Sequence, residues 1–480
     1  MNVHLTLEGR HGLAGQIYRQ LRAGVLEGRL APGERLPSTR ELATRLGVSR
    51  KTTLDVFERL IAEGYLRTRT GDGTFVADEM TRLAPAPAAT QMPALQPSNP
   101  VWDQLPEASA PVRTAPPPAY DFASGATDKT LFPFDQWRRC IHHALRVQAR
   151  GRSPYHDPAG EQDLRLAISR YLAVSRAVVG NWQDVVVTQG AQQAINLLGR
   201  AALRPGDVVA MEDPGYPRAR AIFAALGARV VSVPVDADGL IVDALPDHVR
   251  AVYVTPAHQF PLGMPMTLER RLALLDWAQR HGALVIEDDY DGEFRFEGRP
   301  MESLKGLDNA DVVAYVGTFS KTIFPELRVG YVIPPRPLAG ALCKAKQVVD
   351  WHSCTMTQTA LAKFMHDGYF GKHLRRMHKE YAARRAALLD GLQRHLAGRL
   401  TPLPSAAGLH VAAWLAHGEG QHAALHERDF VARAAQAGVG VSGLSDMYGA
   451  RPARPGIVLG YGGMGVDGIQ AGIARLAAAL

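Results

Sequence analysis

Apolar residues recur at helical spacing from Gly15 to Gly28, at Ile17, Leu21, Val25 and Leu26, and predict a first helix. Pro32-Gly33 interrupts the pattern. Ser38, with Glu41 three residues on, has the form of a capping box and opens a second helix carrying Leu42, Ala43 and Leu46. Gly47 ends it. A third helix is predicted from Ser49 to about Glu63, with Leu54, Phe57, Leu60 and Ile61 on its inner side and Gly64 as its stop. Tyr65 to Ala77 then alternates around Gly71-Asp72-Gly73, a hairpin signal.

Further along, the period changes. Apolar strand-like runs at Val185–Thr188, Val208–Met211, Ala251–Thr255, Leu284–Glu287 and Val312–Val316 alternate with helical stretches. Apolar runs without alternation belong to strands covered on both faces, so the expected fold class is α/β with a mostly parallel sheet. After about Val348 the pattern is helix-rich with a few strands, a smaller C-terminal subdomain.

Between the two patterns, Thr81 to Pro118 holds ten prolines in 38 residues and has no apolar face. Such a segment buries no core and reads as a semi-rigid linker. The expected organisation is a winged-helix module over 1–78, a Pro/Ala-rich linker over 79–118 and a large domain over 119–480.

Composition adds little to this picture except in its distribution. The net charge is +7, and residues 1–77 hold 12 Lys/Arg against 8 Asp/Glu, so the N-terminal module is basic and suited to a polyanion. Three widely spaced cysteines, Cys140, Cys343 and Cys354, make neither a disulfide framework nor a zinc site, so no metal is expected and a reducing cytoplasm is. The opening residues carry Arg10, Arg19 and Arg22 without a secretory h-region, and no apolar run is long enough to span a bilayer, so no membrane partner is expected.

Helix, turn, helix and Gly-tipped hairpin form a winged helix-turn-helix pattern. Its third helix has to present short polar and basic residues at its N-terminus to the major groove of double-stranded DNA. Ser49, Arg50, Lys51, Thr52 and Thr53 are placed to do so, and Arg40 lies towards the same side. The string GRLAPGERLPSTRELATRLGVSRKTTLDVFERLIAEGYLRTRTGDGTFV resembles the GntR family of regulators over nearly the whole family module. The resemblance implies DNA contacts at Arg40, Arg50, Thr52 and Thr53, and a wing at the hairpin.

The large domain offers the parts of a pyridoxal phosphate (PLP) site. Such a site needs a lysine for a Schiff base, a carboxylate for the pyridine nitrogen, a planar group over the ring, and amides plus a cation for the phosphate. Lys321 follows an apolar strand beside Thr318 and Ser320, either of which can sit near the phosphate, and Arg328 comes seven residues later. Asp288, Asp289, Tyr290 and Asp291 close another apolar strand. Gly190, Ala191 and Gln192 open a helix whose N-terminus suits phosphate. Tyr216 follows a further strand and can stack on a ring.

This stretch, roughly Asp121 to Leu480, resembles fold-type I aminotransferases. The resemblance implies that Lys321 forms the Schiff base, Asp288 meets the pyridine nitrogen, Tyr290 meets the ring hydroxyl, Tyr216 stacks and Arg328 takes the phosphate. Ordinary aminotransferases often carry Asn-Pro-x-Gly where this chain has Phe260-Pro261-Leu262-Gly263, so the usual asparagine contact to the ring oxygen is missing. His258-Gln259-Phe260-Pro261 is instead similar to the MocR/GabR subfamily, in which a GntR module is fused to this domain. In that subfamily the residue matching Arg218 binds the effector carboxylate; Arg451 and Arg454 are other arginines near the C-terminal strand, of which Arg454 is the second candidate.

The function implied is a transcription regulator, expected as a homodimer, that holds PLP at Lys321 and senses an amino compound or PLP itself. An active amino-acid aminotransferase with an appended DNA-binding module is the alternative. Intact residues at Ser38–Thr53 weigh against a vestigial module.

Overall fold

The computed structural model describes residues 5–9, 11–79, 101–102, 105, 118–150, 155–298, 301–416, 423–449 and 454–479. Most of the expected 79–118 linker lies outside the described residues. The chain divides into two compact units, 1–97 and 98–480.

In the first unit, α1 (Leu13–Leu26), α2 (Thr39–Leu46) and α3 (Arg50–Ala62) precede the antiparallel hairpin of β1 (Leu66–Arg69) and β2 (Gly73–Val76). Ser38 caps α2, its Oγ accepting the Glu41 N–H, and Gly47 ends the helix at φ 64°. The buried face of α3 is Thr53, Val56, Phe57 and Leu60. Leu54 and Ile61, expected inside, are 42% and 36% exposed. Each follows a buried position by one residue, and a step of 100° turns it off a face defined by i, i+3, i+4 and i+7. The core joins α3 to Ile17, Leu21 and Val25 of α1 and to Leu66 and Val76 of the hairpin.

The second unit opens with β3 (Tyr120–Asp121), α4 (Phe134–Gln148) and α5 (Gln162–Ser175). An alternating run follows: β4 (Val186–Thr188), α6 (Ala191–Ala202), β5 (Val208–Asp213), α7 (Pro217–Ala225), β6 (Arg229–Asp236), β7 (Gly239–Leu240), β8 (Val249–Val254), α8 (Leu268–His281), β9 (Leu284–Asp289), α9 (Leu304–Leu307), β10 (Val313–Thr318) and β11 (Gly330–Ile333). Three helices, α10 (Arg336–Asp350), α11 (Thr355–His366) and α12 (Tyr369–Leu396), lead to β12 (Leu400–Pro402) and β13 (His410–Leu415). The chain finishes through α13 (Ala423–Gln436), β14 (Val439–Gly440), β15 (Ser442–Gly443), β16 (Gly456–Gly460) and α14 (Val466–Ala479).

The main sheet has the order β4-β11-β10-β9-β8-β5-β6-β7. The strands from β10 to β6 are parallel to one another, and β11 runs antiparallel to both β10 and β4. Every residue of β10 is buried, as two-sided helix cover requires. β9 and β10 run two residues beyond the predicted ends, so Asp288 and Thr318 sit on strands rather than in loops. In open sheets of this kind ligands bind beyond the carboxyl ends of the strands.

The smaller subdomain is a four-stranded sheet, β12-β13-β16-β15, packed with α12 and α14. It is not purely C-terminal: β3 pairs in parallel with β14, and Phe122 lies in its core. That return places Gly125 beside the carboxyl ends of the large sheet, where its carbonyl meets Lys321.

Candidate cofactor site and nucleic-acid interface

Strand ends converge on Lys321. It stands three residues beyond β10, half-buried, and its Nζ donates to the Gly125 carbonyl at 2.8 Å. A Cβ on Gly125, which has φ +80°, would lie 2.5 Å from that nitrogen, so the approach requires glycine. Burial lowers the Lys321 pKa; Asp291 and Asp288 oppose the shift, and Arg218 adds to it. These are the charges that face the amine.

Asp288 is buried near the end of β9. One carboxylate oxygen accepts from the Tyr253 hydroxyl at 2.6 Å, and the other, Oδ1, is buried with no partner. Burial raises its carboxyl to about 7, against the lowering effect of the Tyr253 hydrogen bond. Its neighbour Asp289 faces elsewhere, to Arg176 and to the Tyr315 hydroxyl at 2.7 Å, and these hold it low. Register separates the two, since successive strand residues face opposite sides of the sheet.

The parts suited to phosphate gather at the start of α6. Gly190 is its N-cap with φ 82°, and Ala191 and Gln192 begin its first turn. Arg328, itself at φ 51°, donates to the Gln189 carbonyl at 2.9 Å. A Cβ on Gly330 would fall 2.8 Å from the Gly190 backbone, so that position excludes a side chain, and a Cβ on Gly190, at φ +82°, would press the Arg328 guanidinium at 3.0 Å. The Thr318 hydroxyl donates to Ser320 Oγ at 3.0 Å and accepts the Ser320 N–H.

Tyr216 is half-buried and edge-on to Phe260 at 5.6 Å. Burial pushes its hydroxyl up to about 12, Asp288 adds to the rise, and Arg218 and Arg328 oppose it. Tyr290 is engaged with His258: its hydroxyl donates to the His258 carbonyl at 3.0 Å and lies 3.0 Å from Nδ1. Arg218 is exposed, two residues past Tyr216. Arg454 stands elsewhere, over the Trp414 ring at 5.4 Å, and is not among the charges facing Lys321. Arg451 lies outside the described residues.

In the first unit Arg40, Ser49, Arg50 and Lys51 are exposed, with Arg50 and Lys51 in the first turn of α3. Ser49 caps that helix, its Oγ accepting the Thr52 N–H at 3.1 Å and lying 2.7 Å from the Thr52 hydroxyl. Thr53 does not share this surface. It is fully buried, and its hydroxyl is directed at the Thr39 and Arg50 carbonyls at 2.8 and 3.0 Å. The residue pins α3 to the start of α2, a structural duty that occupies its polar atom.

Residues 13–76 match the family "Bacterial regulatory proteins, gntR family", and residues 120–439 match "Aminotransferase class I and II". The chain is 36% identical to the probable rhizopine catabolism regulatory protein MocR of Rhizobium meliloti, over 97% of this chain and 93% of that one. It is 34% identical to the pyridoxine biosynthesis transcriptional regulator PdxR of Corynebacterium glutamicum, over 97% and 95% of the two chains. The chain belongs to the MocR-type regulators of the GntR family. It is a DNA-binding transcription regulator with an aminotransferase-like domain. That domain also resembles the kynurenine aminotransferase of Pyrococcus horikoshii, solved with its PMP cofactor form, at a TM-score of 0.68 and 28% identity over 75% of this chain and 90% of that one.

PLP fits the residues this regulator presents. The unpartnered Asp288 oxygen needs a donor, which a protonated pyridine nitrogen supplies, and the α6 N-terminus at Gly190 with the Arg328 guanidinium against it has the amides and the cation that a phosphate needs. Sequence reasoning assigned no role to Tyr253, Gly125 or the His258–Asp291 contact. A lone tyrosine in the apolar β8 run was a usable signal for the first; the others depend on tertiary return. His258, Asp291 and His410 bring donor atoms within 4.8 Å of one another, a spacing a metal ion could bridge. Those atoms are already engaged, His258 with Asp291 and Ser405, and His410 with the Pro261 carbonyl. Among the described residues no helix is long and apolar enough to cross a membrane.

Proposed function

We propose that this regulator holds PLP on Lys321, with Asp288 at the pyridine nitrogen, Tyr290 at the ring hydroxyl, Tyr216 against the ring face, and Arg328, Thr318, Ser320 and the Gly190–Gln192 turn around the phosphate. When bound, the cofactor supplies an electrophilic carbon and an electron-withdrawing ring. Lys321, kept below the usual lysine range, presents its amine; Asp288 keeps a proton at the ring nitrogen.

One observation carries the sensing role: the exposed Arg218 guanidinium acts on the same amine as the Asp291 and Asp288 carboxylates do. A primary amine with a carboxylate can meet the Lys321 position with one end and Arg218 with the other. The effector is therefore an amino compound bearing a carboxylate, with PLP supply itself as the second reading, which the PdxR relative favours. Arg454, over Trp414, is the weaker carboxylate candidate. For DNA to respond, the effector has to bind one arrangement of the regulator better than another.

The winged module over 1–78 supplies the DNA contacts, at Arg40, Ser49, Arg50, Lys51 and Thr52, joined by the 79–118 linker to the effector domain at 119–480. A homodimer in the cytoplasm fits the chain. Tyr155 is 75% exposed and stacks on Trp351 at 4.6 Å, with Val348 87% exposed nearby in sequence, an apolar patch suited to a second copy.

The test is a titration of the full chain with PLP and then with a panel of amino compounds, following the visible absorption and the affinity for its promoter fragment together. A compound that changes both is expected, and Lys321→Ala should lose both responses while still binding DNA. DNA affinity that responds with no change in absorption would overturn this reading.

A further inference from the structure

Position 260 sets the problem. Phe260 stands where ordinary aminotransferases present an asparagine to the ring oxygen, and its ring meets three others, Tyr216, Tyr290 and His410, at 5.6, 6.0 and 5.6 Å. It has no hydrogen to donate. Tyr290 is left as the donor on that side, and behind Tyr290 lies His258.

The protons around His258 can be counted. Its Nε2 faces Ser405 Oγ at 3.2 Å, and the Ser405 hydroxyl spends its one hydrogen on the Ala407 carbonyl at 2.9 Å. Ser405 therefore offers Nε2 a lone pair, and Nε2 carries a proton. Nδ1 faces both oxygens of Asp291, at 3.1 and 3.2 Å, and one of these also accepts the Leu409 N–H at 3.1 Å. A proton lies between Nδ1 and Asp291. Ring and carboxyl are both buried and hold two protons between them.

Its seat is specific. A Cβ on Gly408, at φ +84°, would fall 1.9 Å from the ring, and a Cβ on Gly263, at φ +93°, 3.3 Å from Nε2. Two glycine backbones thus clamp the imidazole. The other titratable groups facing the pair, among the described residues, are Asp288, His410, Tyr290, Lys321, Tyr461 and Arg385. His410, with its ring 4.7 Å away, is pushed down to about 3 by burial and by His258, so it stays neutral and does not share the charge. Burial and the surrounding carboxylates keep Tyr290 protonated, and its one hydrogen rests on the His258 carbonyl, from which a ring oxygen has to draw it.

We propose that the buried His258–Asp291 contact is an imidazolium–carboxylate pair and a positioning device: it aims Tyr290 and places a positive charge 3.0 Å from its oxygen, so that Tyr290 turns its hydrogen from the His258 carbonyl to the cofactor ring oxygen and supplies there what an asparagine supplies elsewhere. A cation beside a phenol strengthens it as a donor to an anionic oxygen. The role rests on the PLP reading above and reaches the ring only through Tyr290.

Two measurements test it. In the cofactor-free full chain, ¹⁵N-histidine NMR should show one ring protonated on both nitrogens at pH 8, a signal that His258→Gln removes. In the PLP-loaded full chain, the pH titration of the cofactor's visible absorption should move up by about one unit or more in Asp291→Asn and His258→Gln. Phe260→Asn should bring the titration back towards wild type in the Asp291→Asn background. A neutral His258 ring at pH 7, or loaded variants that titrate like wild type, would overturn the inference. Wild-type protein that shows no visible band with PLP would instead overturn the cofactor reading, and the NMR result decides the ion pair even if a variant does not load.

Discussion

The Tyr253 hydroxyl donates to one carboxylate oxygen of Asp288 at 2.6 Å, and the other oxygen is buried with no partner. Strand register makes the meeting: Tyr253 of β8 lies opposite Ile286 of β9, and Asp288, two residues on, shares that face. The cofactor-free chain thus carries a buried carboxyl satisfied on one side only.

A pH dependence of stability follows from Asp288. Burial raises its carboxyl from 3.8 to about 7, and Glu212 and Glu287 are raised to about 7 for the same reason. The folded chain prefers these acids protonated. Their contribution is fully present below the ordinary carboxylate range and is lost as pH rises through about 7. Thermal melts of cofactor-free protein should therefore show a Tm that falls between about pH 4 and pH 7 and levels off above. Asp288→Asn should remove part of that fall, leaving the variant more stable than wild type by a few degrees at pH 8 and nearly equal to it at about pH 4. The same variant should bind PLP roughly tenfold or more weakly, a loss of about 1.4 kcal/mol or more. Identical melts at both pH values would show that Asp288 is not desolvated as described.

Lys321 and Gly125 form a matched pair for a second test. Lys321→Ala should abolish the borohydride-trappable cofactor adduct and leave the Tm of the cofactor-free chain within a few degrees. Gly125→Ala puts a methyl 2.5 Å from the Lys321 nitrogen on a backbone at φ +80°. It should slow adduct formation about tenfold or more while the lysine itself remains. Normal adduct formation in Gly125→Ala would mean that the amine is not held at the Gly125 carbonyl.

The parts of the site that can be read along the chain are those carried by short strand-end strings. Lys321 with Thr318 and Ser320, and Asp288 after an apolar run, are contiguous signals. The contacts that complete them are not. Tyr253 and Asp288 are 35 positions apart, Lys321 and Gly125 196, and His258 and Ser405 147. No local periodicity encodes such pairs; sheet order and the return of the N-terminal segment to β14 create them. The α3 face shows the opposite limit. Hydrophobicity alone favoured Leu54 and Ile61 for the interior, whereas the buried face includes Thr53, admitted because its hydroxyl finds two backbone carbonyls.

Arg218 has two separable consequences. Its charge helps to hold the Lys321 amine below the usual lysine range, so Arg218→Ala should raise that pKa and slow adduct formation at neutral pH, with the difference shrinking as pH rises. Loss of its guanidinium should also raise the concentration of a carboxylate-bearing effector needed for half response by about tenfold or more, while a decarboxylated analogue responds equally on both proteins. Stopped-flow absorption with PLP measures the first effect, and promoter-binding titrations measure the second. An unchanged effector response would move the carboxylate to Arg454.

Arg50 and Thr53 separate reading DNA from holding the reading helix. Arg50 is exposed in the first turn of α3, behind a Ser49 cap, where side chains of a recognition helix reach the groove. Arg50→Ala should weaken promoter binding by about 1–3 kcal/mol and relax specificity at one base position if it meets a base edge. If it meets phosphate alone, the loss should be equal on all sequences and the salt slope should fall by about one. Thr53→Val should act through stability. It strips a hydroxyl that bonds the Thr39 and Arg50 carbonyls and should cost about 1–2 kcal/mol in unfolding of the N-terminal module. Base preference should be kept, because Thr53 faces the core. Denaturant melts of the full chain, and binding to promoter and unrelated DNA at two salt concentrations, distinguish the cases. A specificity change in Thr53→Val at unchanged stability would place that hydroxyl on the DNA, and wild-type binding by Arg50→Ala would make Arg50 a solvated surface charge.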